Sequence, residues 1–468
     1  MMAALGLTLA ACSKDDDGLT PQPAEQQPTE QTTGRGIPFT ATISIGEGGM
    51  TRALADGGTT LTATWAEGEK VALIHNGVSD EMTVASVSGG KATITGEITG
   101  EITGSNDVTI IYPATAAKGA TGEVKGNLLK TQEGTLAAVS EKYDVRKGTG
   151  TLTVTGESAT LTDDVEMENK FAVWKLTVPT ARNLCILADN EAIAGATLEG
   201  EQGTVFTVAV PEVDDKTITV VASDDDNNCY YYNKSGISLT AGKYYRSAPA
   251  MTTLGTDQNA EGGVYKITGT YSSFLNIVTI PEGKTAVLSG ATISRSSHIT
   301  CNSNVTIILM GSNSITVSDN YPAIIPGESG TLTITGTGSL TAQGGDNNPG
   351  IGSLYDGHKG HTCGDILICG GTIDVTGGKS QEPYSAGAGI GTGTMGRCGN
   401  ITITTGVTSV TARKGSSHSA SAVHSIGRGG SSSICGTITI GGTVYWDGSS
   451  YQNDGYTYLS QSTLTYEP

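Results

Sequence analysis

The densest chemistry-bearing stretch of the sequence is DGHKGHTC, Asp356–Cys363, which sets a carboxylate, two imidazoles and a thiol within eight residues. Asp356, His358, His361 and Cys363 are the ligand types a transition metal takes. Turn residues on a loop excursion account for the same string, and the related segments further along the chain lack the histidines. No metal and no cofactor are assigned. A polysaccharide lyase or hydrolase needs clustered carboxylates, or a base placed to abstract a proton. Between residues 261 and 468 the acids and bases are few and scattered, and the position held by Asp365 becomes Asn400 and then Thr437 in later copies. Nor do the glycines form a P-loop, a dinucleotide fingerprint or a nucleophile elbow, because they sit at corners between short β-runs rather than between a strand and a helix. We expect no catalytic residues and no enzyme; a β-helix polysaccharide-degrading enzyme is the catalytic alternative.

Of the eight cysteines, Cys363, Cys398 and Cys435 recur 35 and 37 residues apart. They open CGDILICGGTIDVTGG (Cys363–Gly378), CGNITITTGVTSVTARKG (Cys398–Gly415) and CGTITIGGTVYWDGS (Cys435–Ser449), and SGTLTITGTGSLTAQGG (Ser329–Gly345) is an earlier, degenerate copy. A second element recurs between them as PGIGS (Pro349–Ser353), AGIGT (Ala388–Thr392) and HSIGR (His424–Arg428). The apolar pairs Leu332/Ile334, Ile366/Ile368, Ile401/Ile403 and Ile438/Ile440 alternate, so each pair shares one face of a strand. Short β-runs, Gly-rich corners and a fixed period predict a right-handed parallel β-helix, with each aliphatic stacked on its equivalent in the next copy. The period is long for one simple coil, so each repeat carries an excursion or more than one turn. The cysteines fit the same scheme as an inward column, packing as small hydrophobes. An oxidising compartment would permit disulfides, but spacing assigns none; Cys185 with Cys229 is a conceivable pair.

The elements that must position these residues are strands. The chain has 468 residues, enough for several domains, with 5 % aromatic and 16 % charged residues and 66 glycines, 37 of them within 261–468. Upstream, FTATISI (Phe39–Ile45), TLTATWAEGEKVALI (Thr60–Ile74), VTIIYP (Val108–Pro113), TLTV (Thr151–Val154), FAVWKLTV (Phe171–Val178), FTVAV (Phe206–Val210) and TITVVAS (Thr217–Ser223) alternate between turn signals. Such runs predict β-sandwiches and an all-β fold. Residues 261–468 hold 9 Lys and Arg against 12 Asp and Glu, so nearly all of the formal charge of −19 lies in the first 260 residues. An acidic exterior keeps an exported protein soluble and repels phosphate backbones, so nucleic acid is not expected as a partner.

The N-terminus, MMAALGLTLAAC, carries an apolar run from Ala3 to Ala11 that is too short to span a bilayer and suits a signal segment. LAAC, Leu9–Cys12, resembles the lipobox of bacterial lipoproteins, which implies that Cys12 is acylated and becomes the first mature residue; several acyl chains on one residue anchor stably. No Lys or Arg precedes the run, so we expect the start of such a segment to lie upstream. The following SKDDD (Ser13–Asp17) resembles the signal that directs some lipoproteins to the outer face of the outer membrane. Residues 18–36 are too polar to pack and read as a tether.

Residues 37–252 resemble the fimbrillin-like lipoprotein pilins. The carriers are TRAL (Thr51–Leu54), WAEGEKVAL (Trp65–Leu73), IIYPA (Ile110–Ala114), KTQEGTL (Lys130–Leu136), KYDV (Lys142–Val145), NKFAVWKLTV (Asn169–Val178) and LTAGKYY (Leu239–Tyr245). The Trp that usually precedes the last of these is absent. The resemblance implies assembly: a protease cuts after an arginine in the N-terminal strand, removing the lipid segment, and the vacated groove accepts a strand from another subunit. Arg52 is then the expected cleavage site and Arg35 the second choice. The repeat, residues 262–450, resembles Gly-rich β-helix modules that bind carbohydrate. The expected organisation is a signal peptide at 1–11, a tether at 12–36, pilin-like sandwiches at 37–165 and 166–252, and a β-helix at 261–468. The expected role is a surface accessory or tip pilin with an adhesive β-helix. Its partners would be other pilin subunits, the outer membrane through the lipid, and glycans or other surface ligands. A monomeric glycan-binding lipoprotein is the alternative.

Overall fold

The computed structural model describes residues 36–45, 64–100, 102, 106–273, 277–380, 386–416, 423–430 and 432–468. Cys12, Arg35 and Arg52 lie outside them. Among the described residues, helix is confined to isolated short turns, and the chain is otherwise strand and connecting loop.

Eight strands form the first sheet: β1 (Ile37–Ile45), β2 (Lys70–His75), β3 (Val78–Ser88), β4 (Lys91–Ile98), β5 (Asp107–Tyr112), β6 (Arg146–Thr155), β7 (Ser158–Leu161) and β8 (Val165–Asn169). Their order is β4-β3-β2-β5-β6-β7-β1-β8, and β1 pairs with β4 as well, so seven strands close on themselves. A sandwich was the expectation for residues 37–165; a closed barrel is what the pairings build. The alternation that signals one buried face is common to both architectures. Closure differs only in leaving no free edge. The barrel interior holds Phe39, Ile43, Val71, Leu73, Met82, Ile94, Ile110, Leu152 and Met167.

The next strands do build two sheets around one core. β9 (Phe171–Ala181) lies between β12 (Gly203–Pro211) and β15 (Tyr244–Ser247). Facing it, β10 (Asn183–Ala188), β11 (Glu191–Thr197), β13 (Val213–Ser223), β14 (Cys229–Leu239) and β16 (Thr252–Thr253) run in the order β11-β10-β13-β14-β16. Leu176, Phe206, Val208, Leu184, Ile186, Val220 and Leu239 meet between them.

From Val264 the pairing rule changes to parallel. Val305–Met310, Thr331–Gly336, Asp365–Ile368, Ile401–Ile403 and Ile438–Ile440 pair successively in register. Beside them run Ser312–Val317, Ser339–Gln343, Thr372–Thr376 and Ser409–Arg413. At the start, one continuous strand, Thr285–Arg295, pairs with the first member of both series. A further parallel series runs from Ile277–Ile280 to Ile426–Gly427, and a short one comprises Thr362–Cys363, Arg397–Cys398 and Ile434–Cys435. The two repeats that begin at Thr362 and Arg397 supply one strand to each ladder. The aliphatics expected to stack do so, from Leu332 to Ile440, each 2 % exposed or less. Ile-Gly in the second element has a backbone cause. Gly352, Gly391 and Gly427 take φ of 147°, 135° and 118°, and a Cβ on Gly352 or Gly391 would overlap the carbonyl oxygen of the next glycine in the column. Thr443–Trp446 and Thr463–Tyr466 end the ladders by pairing antiparallel with Ile438–Ile440 and Ser409–Arg413.

Candidate functional site

The most unusual element of the barrel is β1. Its alternation turns Phe39, Ala41 and Ile43 into the core, each 5 % exposed or less, and leaves Pro38 and Thr40 outside. Along one edge it pairs antiparallel with β4 over its length, from Ile37 opposite Ile98 to Ser44 opposite Lys91. Along the other it pairs parallel and sparsely, through Phe39 opposite Ala159 and the stretch from Ile43 opposite Val165 to Ile45 opposite Met167. Among the described residues these are the barrel's only parallel pairings. Withdrawing β1 would uncover three core side chains and the hydrogen-bonding edge of β4. At roughly 1.5–3 kcal/mol per large apolar side chain, refilling that slot is strongly favoured.

The segments that carried the family resemblance serve as joints. Trp65 is buried edge-on against Tyr112, with ring centroids 5.2 Å apart. Nearby, burial pushes the Glu69 carboxyl up to about 7, with the Asp144 charge acting in the same direction. Gln132 pins its loop to the sandwich: its amide donates to Ala209 O at 2.8 Å and accepts from Ala209 N at 2.8 Å. Tyr143 donates to Glu133 at 2.8 Å, and Trp174 on β9 donates to Ser247 on β15 at 2.8 Å.

In the parallel half the ligand-type residues of Asp356–Cys363 are put to other uses. Asp356 caps its own turn, accepting from the backbone of His358 and Lys359 at 2.9 and 3.0 Å and pairing with His361 at 3.0 Å. Cys363 is instead buried in the aliphatic core. The Asp365 column is a hydrogen-bond ladder: Asp365 accepts from Asn400 N at 2.7 Å, and the Asn400 side chain accepts from Thr437 N at 2.9 Å. Asn304 does the same for Thr331 N at 3.2 Å. A carboxylate or a carboxamide serves equally there, which accounts for the Asp-to-Asn change. Cys185 and Cys229 stand as free buried thiols on β10 and β14, with β13 between them, so that conceivable pair is not formed.

Three arrangements had no mark in the sequence. Lys130, 6 % exposed, reaches from the barrel's connecting loop to Ala192 O on β11. Burial lowers its pKa to about 8 against the opposing pull of Glu191. The adjacent β10–β11 turn is clamped by the ladders: Asn190 O accepts from Thr335 at 2.6 Å and from Cys369, and Glu191 accepts from Thr404 at 3.1 Å. Second, His75 and Asp80 pair at 3.0 Å inside the barrel, with Thr99 donating twice to Asp80. Third, Trp446, Tyr451, Tyr456 and His424 cluster at the end of the ladders, with the Arg428 guanidinium 4.5 Å from the Trp446 centroid. A cleft of about 510 Å³ crosses successive strands of the ladders and is lined by Glu282, Asn302, Ser303, Glu328, Leu354 and His361, among others. No described helix is long and apolar enough to cross a membrane.

No family model matches this chain, and neither does any curated protein. Among solved structures, a fimbrial protein from Bacteroides ovatus ATCC 8483 is 11 % identical with a TM-score of 0.24, and the match covers 46 % of this chain and 48 % of that one. The chain thus spans about half the length of that relative. A candidate cell adhesion protein from the same strain is 12 % identical, with a TM-score of 0.25, over 47 % of this chain and 95 % of its own. One from Bacteroides uniformis ATCC 8492 is 12 % identical, with a TM-score of 0.25, over 47 % and 93 %. Likeness at this level carries no argument about function.

Proposed function

We propose that this chain is a non-enzymatic surface lipoprotein that works as a fimbrillin-like accessory or tip pilin, with residues 264–466 wound as a right-handed β-helix and presented as the adhesive end. The lipid would sit on Cys12 in the outer membrane, and maturation would cut at Arg52, or at Arg35 as second choice. The carrying observation is β1, a closing stave whose sequence connection to the barrel runs through residues 46–63. A cut at Arg52 would leave β1 held by pairing and burial alone, so that another subunit's strand could replace it by β-augmentation. Thr463–Tyr466 is already paired with Ser409–Arg413, and Leu464 is 0 % exposed, so that strand is not free to be donated.

The test is cleavage of the full chain with an arginine-specific protease, followed by addition of a synthetic strand peptide. Uptake of the peptide in place of β1, with a concentration-dependent rise in the barrel's melting temperature, supports strand exchange. A cut chain that takes up no strand, yet binds glycans on an array, favours the monomeric glycan-binding reading. The polar cleft across the ladders is the observation behind that second reading: its hydroxyl, amide and carboxylate lining suits the hydroxyls of a neutral saccharide.

A further inference from the structure

All seven cysteines among the described residues are buried thiols, and three of them share a column. Cys363 faces Cys398 in register across one parallel pairing, and Cys398 faces Cys435 across the next. All three contribute to the aliphatic core and are 2, 7 and 2 % exposed. Adjacent strands lie about 4.8 Å apart, inside the Cα separation of about 4.4–6.8 Å that a disulfide spans. The approach at this corner is close: a Cβ on the glycine after each of the last two cysteines, Gly399 or Gly436, would lie 2.9 Å from the backbone of the preceding repeat. Of its two neighbours in the column, Cys435 acts more strongly than Cys363 on the Cys398 thiol, in the direction of raising its pKa. The other four thiols have different surroundings. Cys185 and Cys229 are separated by β13, Cys301 faces Ile280, and Cys369 donates to Asn190 O.

The position in the stack gives the contact its meaning. In stacked repeats each unit is held by its two neighbours. Ile434–Cys435 is the last described strand of its ladder; it pairs with Arg397–Cys398, and Trp446 Nε1 donates to Cys435 O at 3.1 Å.

We propose that Cys398 and Cys435 form a disulfide between these two repeats, a covalent staple on the terminal unit, with Cys363 left as the thiol. The oxidant is a disulfide of the glutathione class. One cysteine thiolate attacks its S–S bond and forms a mixed disulfide, releasing one glutathione. The second thiolate then attacks the cysteine sulfur of that mixed disulfide and releases the other. Two cysteine thiols are oxidised by two electrons, and one glutathione disulfide is reduced to two glutathiones. Because burial holds the Cys398 thiol well above its ordinary pKa, the exchange proceeds while this corner is open, during folding or fraying.

The test is to refold the full chain in a glutathione and glutathione-disulfide buffer, alkylate free thiols with N-ethylmaleimide, digest, and map linkages by mass spectrometry. The expected product joins the Cys398 and Cys435 peptides, two hydrogens lighter than the dithiol, with Cys363 alkylated. The oxidised chain should melt several degrees above a dithiothreitol-treated sample. That gap should vanish in Cys435→Ser and persist in Cys363→Ser. Ser329 holds the equivalent sequence position in the earlier copy but is exposed, so the linkage map of the wild-type chain, which needs no variant, is the primary readout. Alkylation of all three cysteines after oxidative refolding, or a Cys363–Cys398 linkage, would overturn the proposal.

Discussion

In the barrel and sandwich, residues 37–253, sheet neighbours are often chain neighbours joined by tight hairpins, as at Asn76-Gly77, Gly89-Gly90 and Asp189-Asn190. In residues 264–466 nearly every sheet neighbour lies one repeat away. The first arrangement leaves one face of many strands to solvent, and most of the acidic excess resides there. The second makes each interior residue depend on its equivalents above and below. A barrel residue such as Leu73 also lies between two partners, Asp80 and Ile110, but in a ladder the two partners belong to neighbouring repeats. The halves also share a core, where Cys185, Leu187 and Val221 of the sandwich meet Val287, Ile308 and Met310 of the ladders, so their independence is a matter for measurement.

Ile401→Asp should have the largest effect. Ile401 is 0 % exposed and lies in register between Ile366 and Ile438. An unpaired buried carboxylate there should cost about 4 kcal/mol or more. Calorimetry should show the ladder transition lost and the barrel transition kept. Loss of both would mean that the shared core makes the halves a single folding unit, and an unchanged profile would place Ile401 at the surface.

Lys130→Met tests the junction through pH. The folded pKa of about 8 lies below the ordinary lysine value of 10.5, so between those values the unfolded chain holds more protons. This group's contribution therefore destabilises the fold below pH 8 and is relieved as pH rises toward 10.5, by about 3 kcal/mol at most. Thiols such as Cys185, raised to about 12, and Cys369, raised to about 11, pull the other way. The informative quantity is thus the difference between wild type and variant. In urea unfolding, the advantage of Lys130→Met should be largest at pH 7 and fall away by pH 10. A constant difference would mean that Lys130 is solvated.

Asp365→Ala should have the smallest effect. It removes one hydrogen bond between repeats, to Asn400 N, and should lower ladder stability by about 1 kcal/mol. Asp365→Asn should restore it, since Asn400 fills the same role in the next repeat. A loss that asparagine fails to rescue would point to a role for the charge itself.

Much of the ladder core was legible before any pairing was known. Alternation is local: it tells a residue which face of its strand it occupies. Four copies of the same alternation placed Leu332, Ile334, Ile366, Ile368, Ile401, Ile403, Ile438 and Ile440 in one interior, as the structure does. The stacked cysteine column followed from the same spacing. The chemistry-bearing cluster was read less completely, because Asp356, His361 and Cys363 are close in sequence while the fold sends Cys363 into the core and keeps the other two in a turn.

By itself, then, the sequence determined which residues alternate, where the chain turns and which unit repeats, because strand periodicity and glycine geometry act over a few residues. Which strand lies beside which was decided only in three dimensions. Backbone hydrogen bonds are nearly indifferent to side chains, so the same alternation serves a sandwich or a barrel until β1 finds β4 on one side and β7 and β8 on the other. The burial of Lys130 has the same origin: its carbonyl partner, Ala192, is 62 residues away, and no local pattern records a contact made when separate sheets are brought together.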